Sequence, residues 1–182
     1  MPRKPASELD DPPAQRMGPD HAWFTGLYQA HHAAVVRYGR RRLGDLDAAA
    51  ELAQEVFVVA WRRRREMPDR SLPWLYGVAR RLLANEWRAR RAIPELRPRI
   101  AADDLGQPDG EADAVVARVD LRAALARLSD ADREVVLLAA WEGLGVAELA
   151  TALDCSRTAA KVRLHRARRR LRSALADGRH VH

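Results

Sequence analysis

The segment Val146–Leu175, VAELATALDCSRTAAKVRLHRARRRLRSAL, decides the fold of the C-terminal half of the chain. A short apolar stretch leads into a polar turn, and a long basic stretch follows the turn. In the basic stretch apolar residues recur every three or four positions, which predicts an amphipathic helix. A short helix, a tight turn and a longer helix form a helix-turn-helix, whose second helix enters the major groove of DNA. The apolar stripe of the second helix is Ala160, Leu164, Ala167, Leu171 and Leu175.

The turn between the two helices supports this interpretation. The sequence predicts a short helix over Val146–Leu153, followed by the turn Asp154-Cys155-Ser156. Asp154 stands where the motif usually has a glycine with positive φ, and Asp tolerates that conformation better than most residues. Ser156 is a good N-cap for the long helix. We therefore expect a sharp reversal at these three residues.

The charge on the long helix favours a polyanion as its partner. From Ser156 to Arg172 there are eight Arg or Lys side chains and no carboxylate. A lone Arg-rich helix is most often a solvated surface, but here the turn and the packing positions Ala150 and Leu153 favour DNA. The net charge of +7 agrees with an acidic partner, although codon usage in a GC-rich genome also raises the Arg content. The side chains that lie off the apolar stripe include Arg157, Lys161, Val162, His165, Arg166 and Arg168.

Composition divides the rest of the chain. We find helical periodicity on both sides of an acidic linker and no strand alternation. The sequence predicts an all-α fold of two small helical domains on a flexible acidic linker. The predicted parts are a disordered lead at 1–20, a helical domain at 21–92, the linker at 93–113, a second helical domain at 114–176 and a tail at 177–182.

Breaks in the helical periodicity divide the first domain into three predicted helices. Gly44 is expected to end the first helix, and the second is expected from about Asp45 to Arg65. Ser71 is predicted to cap the third helix, with Pro73 in its first turn. On the second helix the predicted inner face is Leu52, Val56, Val59 and Ala60.

Several classes of protein are excluded by composition. Cys155 is the only cysteine, so there is no internal disulfide and no cysteine-based zinc site, as expected in a reducing cytoplasm. No apolar run approaches the roughly 20 residues of a membrane span. We find no phosphate-binding glycine loop and no nucleophile with a plausible base. We expect a soluble cytoplasmic protein that is not an enzyme and has no metal, cofactor or membrane insertion.

Four segments resemble one family. The segments GLGVAELATALDCSRTAAKVRLHRARRRLRSAL and LSDADREVVLLAAWEG resemble region 4 of bacterial RNA polymerase sigma factors, in the extracytoplasmic-function (ECF) subgroup of the sigma-70 family. In the first domain, AAELAQEVFVVAW resembles the polymerase-binding helix of region 2. The segment LPWLYGVARRLLANEWRARR resembles the region 2 helix that handles the melted minus-ten element. The four segments stand in the family's order.

The resemblance assigns polymerase binding to the second helix. Glu51, Gln54 and Glu55 are spaced to share one exposed face, which would dock on a basic coiled coil of the polymerase's largest subunit. Carboxylates that meet guanidinium groups gain charge-assisted hydrogen bonds. The spacing alone favours an ordinary solvated acidic face. Only the surrounding sequence, ELxQEVF, favours polymerase binding instead. Ala48 and Ala50 stand where the family often has acids. The implied polymerase-binding residues are Glu51, Leu52, Gln54, Glu55 and Phe57.

The third helix is implied to hold the melted promoter strand. Its basic residues would grip phosphates while a flipped base enters a pocket formed by the loop from about Glu66 to Leu72. Where Arg81 stands the family often has Asn, so a base-specific role does not carry over to Arg81. The implied residues are Arg80, Arg81, Asn85 and Arg88.

The basic helix of the helix-turn-helix is implied to read the minus-thirty-five element. Arg can bind guanine through two hydrogen bonds, and Val can contact a thymine methyl. Lys161, Val162, His165 and Arg166 match the positions that read bases, and Thr158 belongs to the same surface. We expect phosphate contacts, which set the register on the duplex, from Arg157, Arg163 and Arg168 through Arg170.

The implied function is transcription initiation with core RNA polymerase on promoter DNA. Members of the subgroup are commonly held by an anti-sigma factor, and the free protein is expected to be a monomer. An alternative is a two-domain helix-turn-helix regulator that binds an operator without polymerase, usually as a dimer. The acidic linker has two equally good interpretations: a phosphate mimic in the polymerase cleft or a solvated spacer. Its acidic residues include Asp103, Asp104, Asp109 and Glu111.

Overall fold

A computed structural model describes residues 19–90 and 112–178, with side chains over 20–86 and 119–177. The predictions for the lead, the acidic linker and the end of the tail lie outside these residues. The described part of the chain is helical throughout, which confirms the all-α prediction. Its helices are α1 (Pro19–Leu43), α2 (Leu46–Arg62), α3 (Ser71–Arg90), α4 (Ala112–Ala126), α5 (Asp130–Ala140), α6 (Val146–Leu153) and α7 (Arg157–Gly178).

A sharp reversal joins α1 to α2. Gly44 has a φ of 73°, a left-handed conformation that glycine adopts without steric cost, and its N–H donates to the Arg40 carbonyl over 2.8 Å. The Asp45 carboxylate then accepts a hydrogen bond from the Ala48 N–H over 2.7 Å and caps α2. The predicted stop at Gly44 is therefore confirmed. α2 ends at Arg62, earlier than expected, because one turn of 3₁₀ helix follows it over Arg64–Glu66.

The first domain packs α1, α2 and α3 around a shared core. Its largest fully buried side chains are aromatic and aliphatic, and burying each one contributes about 1.5–3 kcal/mol. Of the inner face predicted for α2, Val59 is half-buried and the other three residues are buried. These largest fully buried side chains of the domain are Val35, Tyr38, Val56, Phe57, Leu75 and Leu83.

The start of α3 differs from the prediction. Ser71 is the first residue of the helix, and its hydroxyl forms a hydrogen bond of 2.9 Å with the Nε2 atom of His31. The side chain thus ties α3 to α1 and is not the expected N-cap. Pro73 does lie in the first turn, where the missing N–H costs nothing.

Arg133 organises the first half of the second domain. Its guanidinium donates to the carbonyls of Leu125, Ala126 and Leu128, at 2.9 to 3.2 Å. These carbonyls end α4, where the helix leaves acceptors without partners and where positive charge is favoured. Ser129 caps α5 by accepting from the Asp132 N–H over 3.2 Å. The turn between α4 and α5 is thereby fixed by side chains within it.

The helix-turn-helix has the predicted form. α6 spans Val146–Leu153, and Asp154 adopts the left-handed conformation, with φ 52° and ψ 56°. The Ser156 Oγ atom accepts a hydrogen bond from the Ala159 N–H over 3.1 Å, so Ser156 caps α7 as expected. The stripe residues Ala160, Leu164 and Ala167 are buried, and Leu171 and Leu175 are half-buried.

The two domains pack directly against each other through α3 and α6. Gly77 of α3 meets Ala152 of α6 so closely that a Cβ atom built on Gly77 would lie 3.0 Å from the Ala152 carbonyl oxygen. Both residues are buried, and the buried apolar side chains of the two domains form one continuous cluster. The sequence did not predict this contact. Within the described residues, no helix combines the length and apolar character needed to cross a bilayer.

Candidate functional sites

An acidic face on α2 is open to solvent. Glu51, Gln54 and Glu55 are all exposed, and they lie on one side of the helix because of their three- and four-residue spacing. The opposite side of α2 is held in the core by residues such as Ala53 and Ala60. The face is thus rigidly presented without taking part in the packing. It can accept hydrogen bonds from a basic partner surface.

Leu52 and Phe57, predicted to bind the same partner, have a different environment. Their exposed fractions are 6% and 2%, so neither side chain reaches the surface. The Phe57 ring lies 4.9 Å from the Tyr28 ring and 6.2 Å, edge to face, from the Phe24 ring. This burial does not favour direct contact, and polymerase binding through these two side chains stays a prediction. They position α2 by anchoring it in the core.

The basic face of α3 is turned toward the second domain. Arg80 donates from Nε to the carbonyl of Ala152 over 3.3 Å, and an Nη1 atom of Arg81 lies 3.5 Å from an Asp154 carboxylate oxygen. Both arginines therefore contact the C-terminal end of α6, where the carbonyl ends attract positive charge. Asn85 is exposed. The Arg88 side chain lies outside the described residues.

The predicted reading face of α7 is open. Its buried stripe faces α4, α5 and α6, and the opposite side carries the basic residues. Val162 is 42% exposed, an unusual position for an aliphatic side chain on an otherwise charged face. Such a surface combines phosphate contacts with an apolar contact to a base edge. The exposed residues here are Arg157, Thr158, Lys161, Val162, Arg163, His165, Arg166 and Arg168.

Arg170 is held within the second domain. Its guanidinium forms an ion pair with the Asp132 carboxylate at the start of α5. Burial alone would raise the pKa of the Asp132 carboxyl, but hydrogen bonds from Arg170 and Ser129 hold that pKa below its ordinary value. The pair fixes the outer half of α7 against α5. The turns of α7 closest to Ser156 remain available for a ligand.

A buried ionic cluster that the sequence did not predict lies between the domains. Arg42 of α1 is 4% exposed, and its Nε and Nη2 atoms donate to the two carboxylate oxygens of Glu134, over 2.9 and 3.1 Å. Its Nη1 atom donates to Glu142 over 3.3 Å, and Arg41 donates to the other Glu142 oxygen over 3.0 Å. The Tyr38 hydroxyl donates to Glu134 over 2.9 Å. Two positive and two negative charges therefore balance across the domain boundary.

Aromatic rings enclose this cluster. The Arg42 guanidinium carbon lies 3.4 Å from the centre of the Tyr38 ring, and the Tyr38 ring stacks on Tyr76 at 5.1 Å. Burial raises the pKa of both tyrosine hydroxyls. Arg42 lowers the pKa of Tyr38 in part, Glu134 and Glu142 raise it, and Glu142 also raises the pKa of Tyr76. Burial alone would lower the pKa of Arg42, but its carboxylate partners raise it above its ordinary value. Arg42 is therefore charged and both tyrosines are neutral at any physiological pH.

Sequence patterns alone could not reveal this cluster. Arg42 is 92 residues from Glu134 and 100 residues from Glu142, so no local spacing connects them. The one available signal is that Glu134 and Glu142 fall among the apolar residues of the segment 128–143, where charged side chains need partners. Among the described residues, no three His, Cys, Asp or Glu side chains are grouped as ligands for a metal ion.

Two family models match the chain. Residues 27–93 match the model for sigma-70 region 2, and residues 118–171 match the model for sigma-70, region 4. The first match covers α2 and α3 with most of α1. The second covers α5 and α6 with most of α4 and α7. Each match therefore falls on one of the two helical domains.

Curated relatives match over most of their length. The ECF RNA polymerase sigma factor SigL of Mycobacterium tuberculosis is 32% identical over 163 residues, which cover 86% of this chain and 90% of SigL. The ECF RNA polymerase sigma factor SigD of Mycobacterium bovis is 32% identical over 180 residues, which cover 92% of this chain and 84% of SigD.

Solved structures share the fold. The sigma factor RpoE, in its complex with the anti-sigma factor NepR from Bartonella quintana, matches with a TM-score of 0.61 and 23% identity, over 84% of this chain and 96% of RpoE. CnrH, in its complex with the cytosolic domain of CnrY, matches with a TM-score of 0.53 and 25% identity, over 85% of this chain and 87% of CnrH. Both similarities extend over the two domains.

Proposed function

The chain belongs to the ECF sigma factors of the sigma-70 family, which direct transcription initiation, and from this premise we propose how its surfaces divide that task. Region 2, formed by α1 to α3, docks on core RNA polymerase and holds the melted minus-ten element. Region 4, formed by α4 to α7, binds the minus-thirty-five element. The protein acts in the cytoplasm, where polymerase and promoter DNA are found.

The observation that carries the proposal is the open acidic face of α2. Glu51, Gln54 and Glu55 take no part in packing, and α2 is anchored from its other side by Leu52 and Phe57. A rigid acidic face suits a basic partner, because carboxylates form strong charge-assisted hydrogen bonds with guanidinium groups. The ELxQEVF sequence around this face, which resembles the polymerase-binding helix of region 2, favours docking over an ordinary solvated face.

Promoter recognition rests on two basic surfaces. On α7 the exposed residues Lys161, Val162, His165 and Arg166 lie in the first turns, where a recognition helix meets the groove. On α3 the arginines Arg80 and Arg81 hold the single strand through its phosphates. We expect tight binding to need both surfaces at once, with polymerase supplying the spacing that lets both engage one promoter.

An anti-sigma factor is the expected regulator of the free protein. CnrH, which shares the fold and 25% of its residues with this chain, is found with the cytosolic domain of CnrY. We expect a partner of the same kind to bind the free monomer.

The polymerase surface is tested with Glu55→Lys. This substitution reverses the charge in the middle of the acidic face, and each lost charge-assisted hydrogen bond is worth about 1.5–3 kcal/mol, so affinity for core polymerase should fall at least tenfold. Asp177→Lys changes the net charge by the same amount at an exposed position outside α2, at the end of α7, and is the control. The double substitution Gln54→Ala with Glu55→Ala should have the same effect as Glu55→Lys.

The measurement is co-elution with core polymerase, followed by transcription in vitro from selected promoters. Unchanged co-elution of a well-folded Glu55→Lys protein would remove the docking assignment. A second outcome tests the alternative function. If the free wild-type protein forms a tight dimeric complex with a duplex operator at physiological salt, the chain acts as a regulator without polymerase.

A further inference from the structure

One flank of α7 carries three arginines in a row. Arg163, Arg166 and Arg170 stand at positions i, i+3 and i+7, so they follow one another along the same side of the helix. Arg163 and Arg166 are exposed, and in the part of the chain that the structure describes neither has a carboxylate partner. Arg170 differs, because its guanidinium is paired with the carboxylate of Asp132. The outer end of the row is therefore neutralised within the protein.

The Asp132 carboxylate is fixed at the start of α5. Its side chain is 13% exposed, and it accepts a hydrogen bond from the Ser129 hydroxyl over 2.8 Å. The Arg170 side chain is 59% exposed, so water reaches the cation while the anion is mostly enclosed. If Arg170 moved away, a poorly hydrated carboxylate would lose its cation, which costs more than an exposed ion pair gains. The pair therefore resists exchange with a second anion.

The position of Arg170 on α7 would otherwise suit a phosphate contact. Arg170 lies about 6 Å along the helix from Arg166, and the major groove that α7 would enter is about 12 Å wide. The residue thus stands near the rim of the groove, which the phosphates border. The sequence accordingly predicts phosphate contacts from Arg168, Arg169 and Arg170 alike. Within the described residues, however, Arg168 and Arg169 have no carboxylate partner, whereas Arg170 is paired.

We propose that Asp132 limits the sequence-independent affinity of region 4 for duplex DNA, because it withholds Arg170 from the phosphates. Asp132 does not touch DNA itself, so it is a positioning residue that acts through Arg170. The inference rests on the proposed function, since it requires α7 to be the helix that lies on the duplex. It leaves the residues that read bases unchanged.

The number of phosphate contacts decides how strongly the free protein binds any duplex. Each added contact steepens the dependence of log Kd on log salt by roughly 0.9, and it does so on every sequence alike. A genome offers on the order of 10⁶–10⁹ non-specific sites, so one more contact moves free protein from solution onto DNA. A sigma factor must remain available to core polymerase. Withholding one arginine serves this need without weakening the preference for one sequence over another.

Three variants test the withholding of Arg170. Asp132→Asn removes the charge and keeps an oxygen that can accept a hydrogen bond from Ser129. Arg170→Gln removes the withheld cation, and the double substitution Asp132→Asn with Arg170→Gln removes both charges. Asp177→Asn is the control, because Asp177 is exposed on the same helix and has no cationic partner among the described residues. The control changes the net charge as Asp132→Asn does but releases no arginine.

The measurement is a salt titration of the full-length protein with a fluorescein-labelled, mixed-sequence duplex. In Asp132→Asn the slope should rise by roughly 0.9, and at 0.1 M salt this protein should bind about five- to tenfold more tightly than the wild type. The double variant, Arg170→Gln and Asp177→Asn should keep the wild-type slope. Circular dichroism and thermal unfolding check that each variant keeps its fold.

Availability to polymerase is measured by transcription with the same duplex, unlabelled, as a competitor. The sigma factor is limiting and meets the competitor before core polymerase is added. The competitor concentration that halves transcription should fall for Asp132→Asn by about the factor found in the titration. In the double variant it should return to the wild-type value, because no released arginine remains. An unchanged concentration for Asp132→Asn would overturn the role of Asp132 in keeping the protein available.

Other results would overturn the withholding itself. A slope that falls by roughly 0.9 in Arg170→Gln would mean that Arg170 already contacts phosphate in the wild type. Weaker binding by Asp132→Asn at an unchanged slope would mean that the ion pair only supports α7. An equal rise in slope for Asp177→Asn would show a general effect of charge. If Asp132→Asn does not fold, Arg170→Gln still decides, since withholding requires it to keep the wild-type slope.

Failure of this proposal and failure of the proposed function give different results. The titration contains no polymerase, so a steeper slope in Asp132→Asn that the double variant reverses supports the withholding even if no form co-elutes with core polymerase. Equal slopes in all five proteins, with co-elution intact, overturn the withholding and leave the sigma-factor function in place.

Discussion

His31 is a residue whose protonation is coupled to the fold of region 2. Its Nε2 atom contacts the Ser71 hydroxyl at 2.9 Å, which ties α1 to the first turn of α3. Partial burial lowers the pKa of the imidazole below its ordinary value of 6.5, and the hydrogen bond with the Ala30 backbone offsets only part of that effect. The folded protein therefore favours neutral His31.

The sign of the pH dependence follows from that shift. Because the folded pKa of His31 is lower than the unfolded one, the unfolded chain binds more protons, and the stability of the folded state falls as the pH drops from about 6.5. The loss is complete below the folded pKa. His31→Gln keeps a polar group near Ser71 but does not titrate. We expect its free energy of unfolding, measured with urea between pH 7.5 and 5, to fall less than that of the wild type. An identical decline in both proteins would show that other groups account for the acid sensitivity.

Single residues show where sequence reasoning succeeds and where it fails. Asp154 and Ser156 were predictable because a left-handed residue and an N-cap are set by the chain within three positions. The predicted role of Ser71 as an N-cap was not found, because its hydroxyl forms a hydrogen bond with His31, 40 residues away. In the segment AAELAQEVFVVAW, Phe57 lies next to positions that are exposed, so the local sequence does not indicate that its ring is buried. The packing of α1 on α2 buries it.

At the scale of the element, α7 divides base reading from phosphate contact along its length. Lys161, Val162 and Arg166 lie in the first turns after Ser156, and Arg168 lies further along. The ion pair of Arg170 with Asp132 holds the following turn against region 4. A helix fixed at its outer end presents its first turns to the groove in one orientation.

The division predicts different consequences for two similar substitutions. Arg166→Ala should cost about 1–3 kcal/mol on the preferred minus-thirty-five sequence and weaken the preference at one position. Arg168→Ala should weaken all promoters alike and reduce the salt dependence of binding by roughly one unit of slope. Transcription from a promoter library, with each variant and core polymerase, measures both effects. The base-reading assignment would be lost if Arg166→Ala lowered every promoter by the same factor.

The elements themselves were largely predictable. α6 has the predicted bounds because Asp154 ends it with a left-handed residue. α7 was predicted from a stripe that is buried as expected. The predicted second helix extends beyond the end of α2, because no residue from Arg63 to Glu66 has a feature that stops a helix. The chain forms a turn of 3₁₀ helix there instead. Local signals thus predict a helix end where a left-handed residue follows the helix, as at Gly44 and Asp154, and fail where no such residue is present.

At the scale of the whole molecule, the sequence did not predict the packing between the domains. Gly77 offers no pattern that indicates a partner, and its contact with Ala152 follows only from the assembled structure. Arg42 is one of 32 basic residues, so its burial had no distinguishing signal in composition. The acidic linker between the two helical domains indicated two domains that do not pack against each other. The ionic cluster around Arg42 and the contact of Gly77 with Ala152 join two domains that are separate in sequence into one packed unit.

That unit predicts how the protein unfolds. Each domain is small and only marginally stable alone, so an interface that buries Arg42 and joins the two cores should couple their unfolding. We expect one thermal transition for the wild type, with the calorimetric enthalpy close to the van't Hoff enthalpy. In Gly77→Gln the domains should unfold separately, and the calorimetric enthalpy should exceed the van't Hoff enthalpy. Differential scanning calorimetry of the wild type and Gly77→Gln distinguishes these cases. Arg65→Met, a substitution at an exposed position in region 2, is the control. Two resolved transitions in the wild type would mean that the interface is too weak to couple the domains.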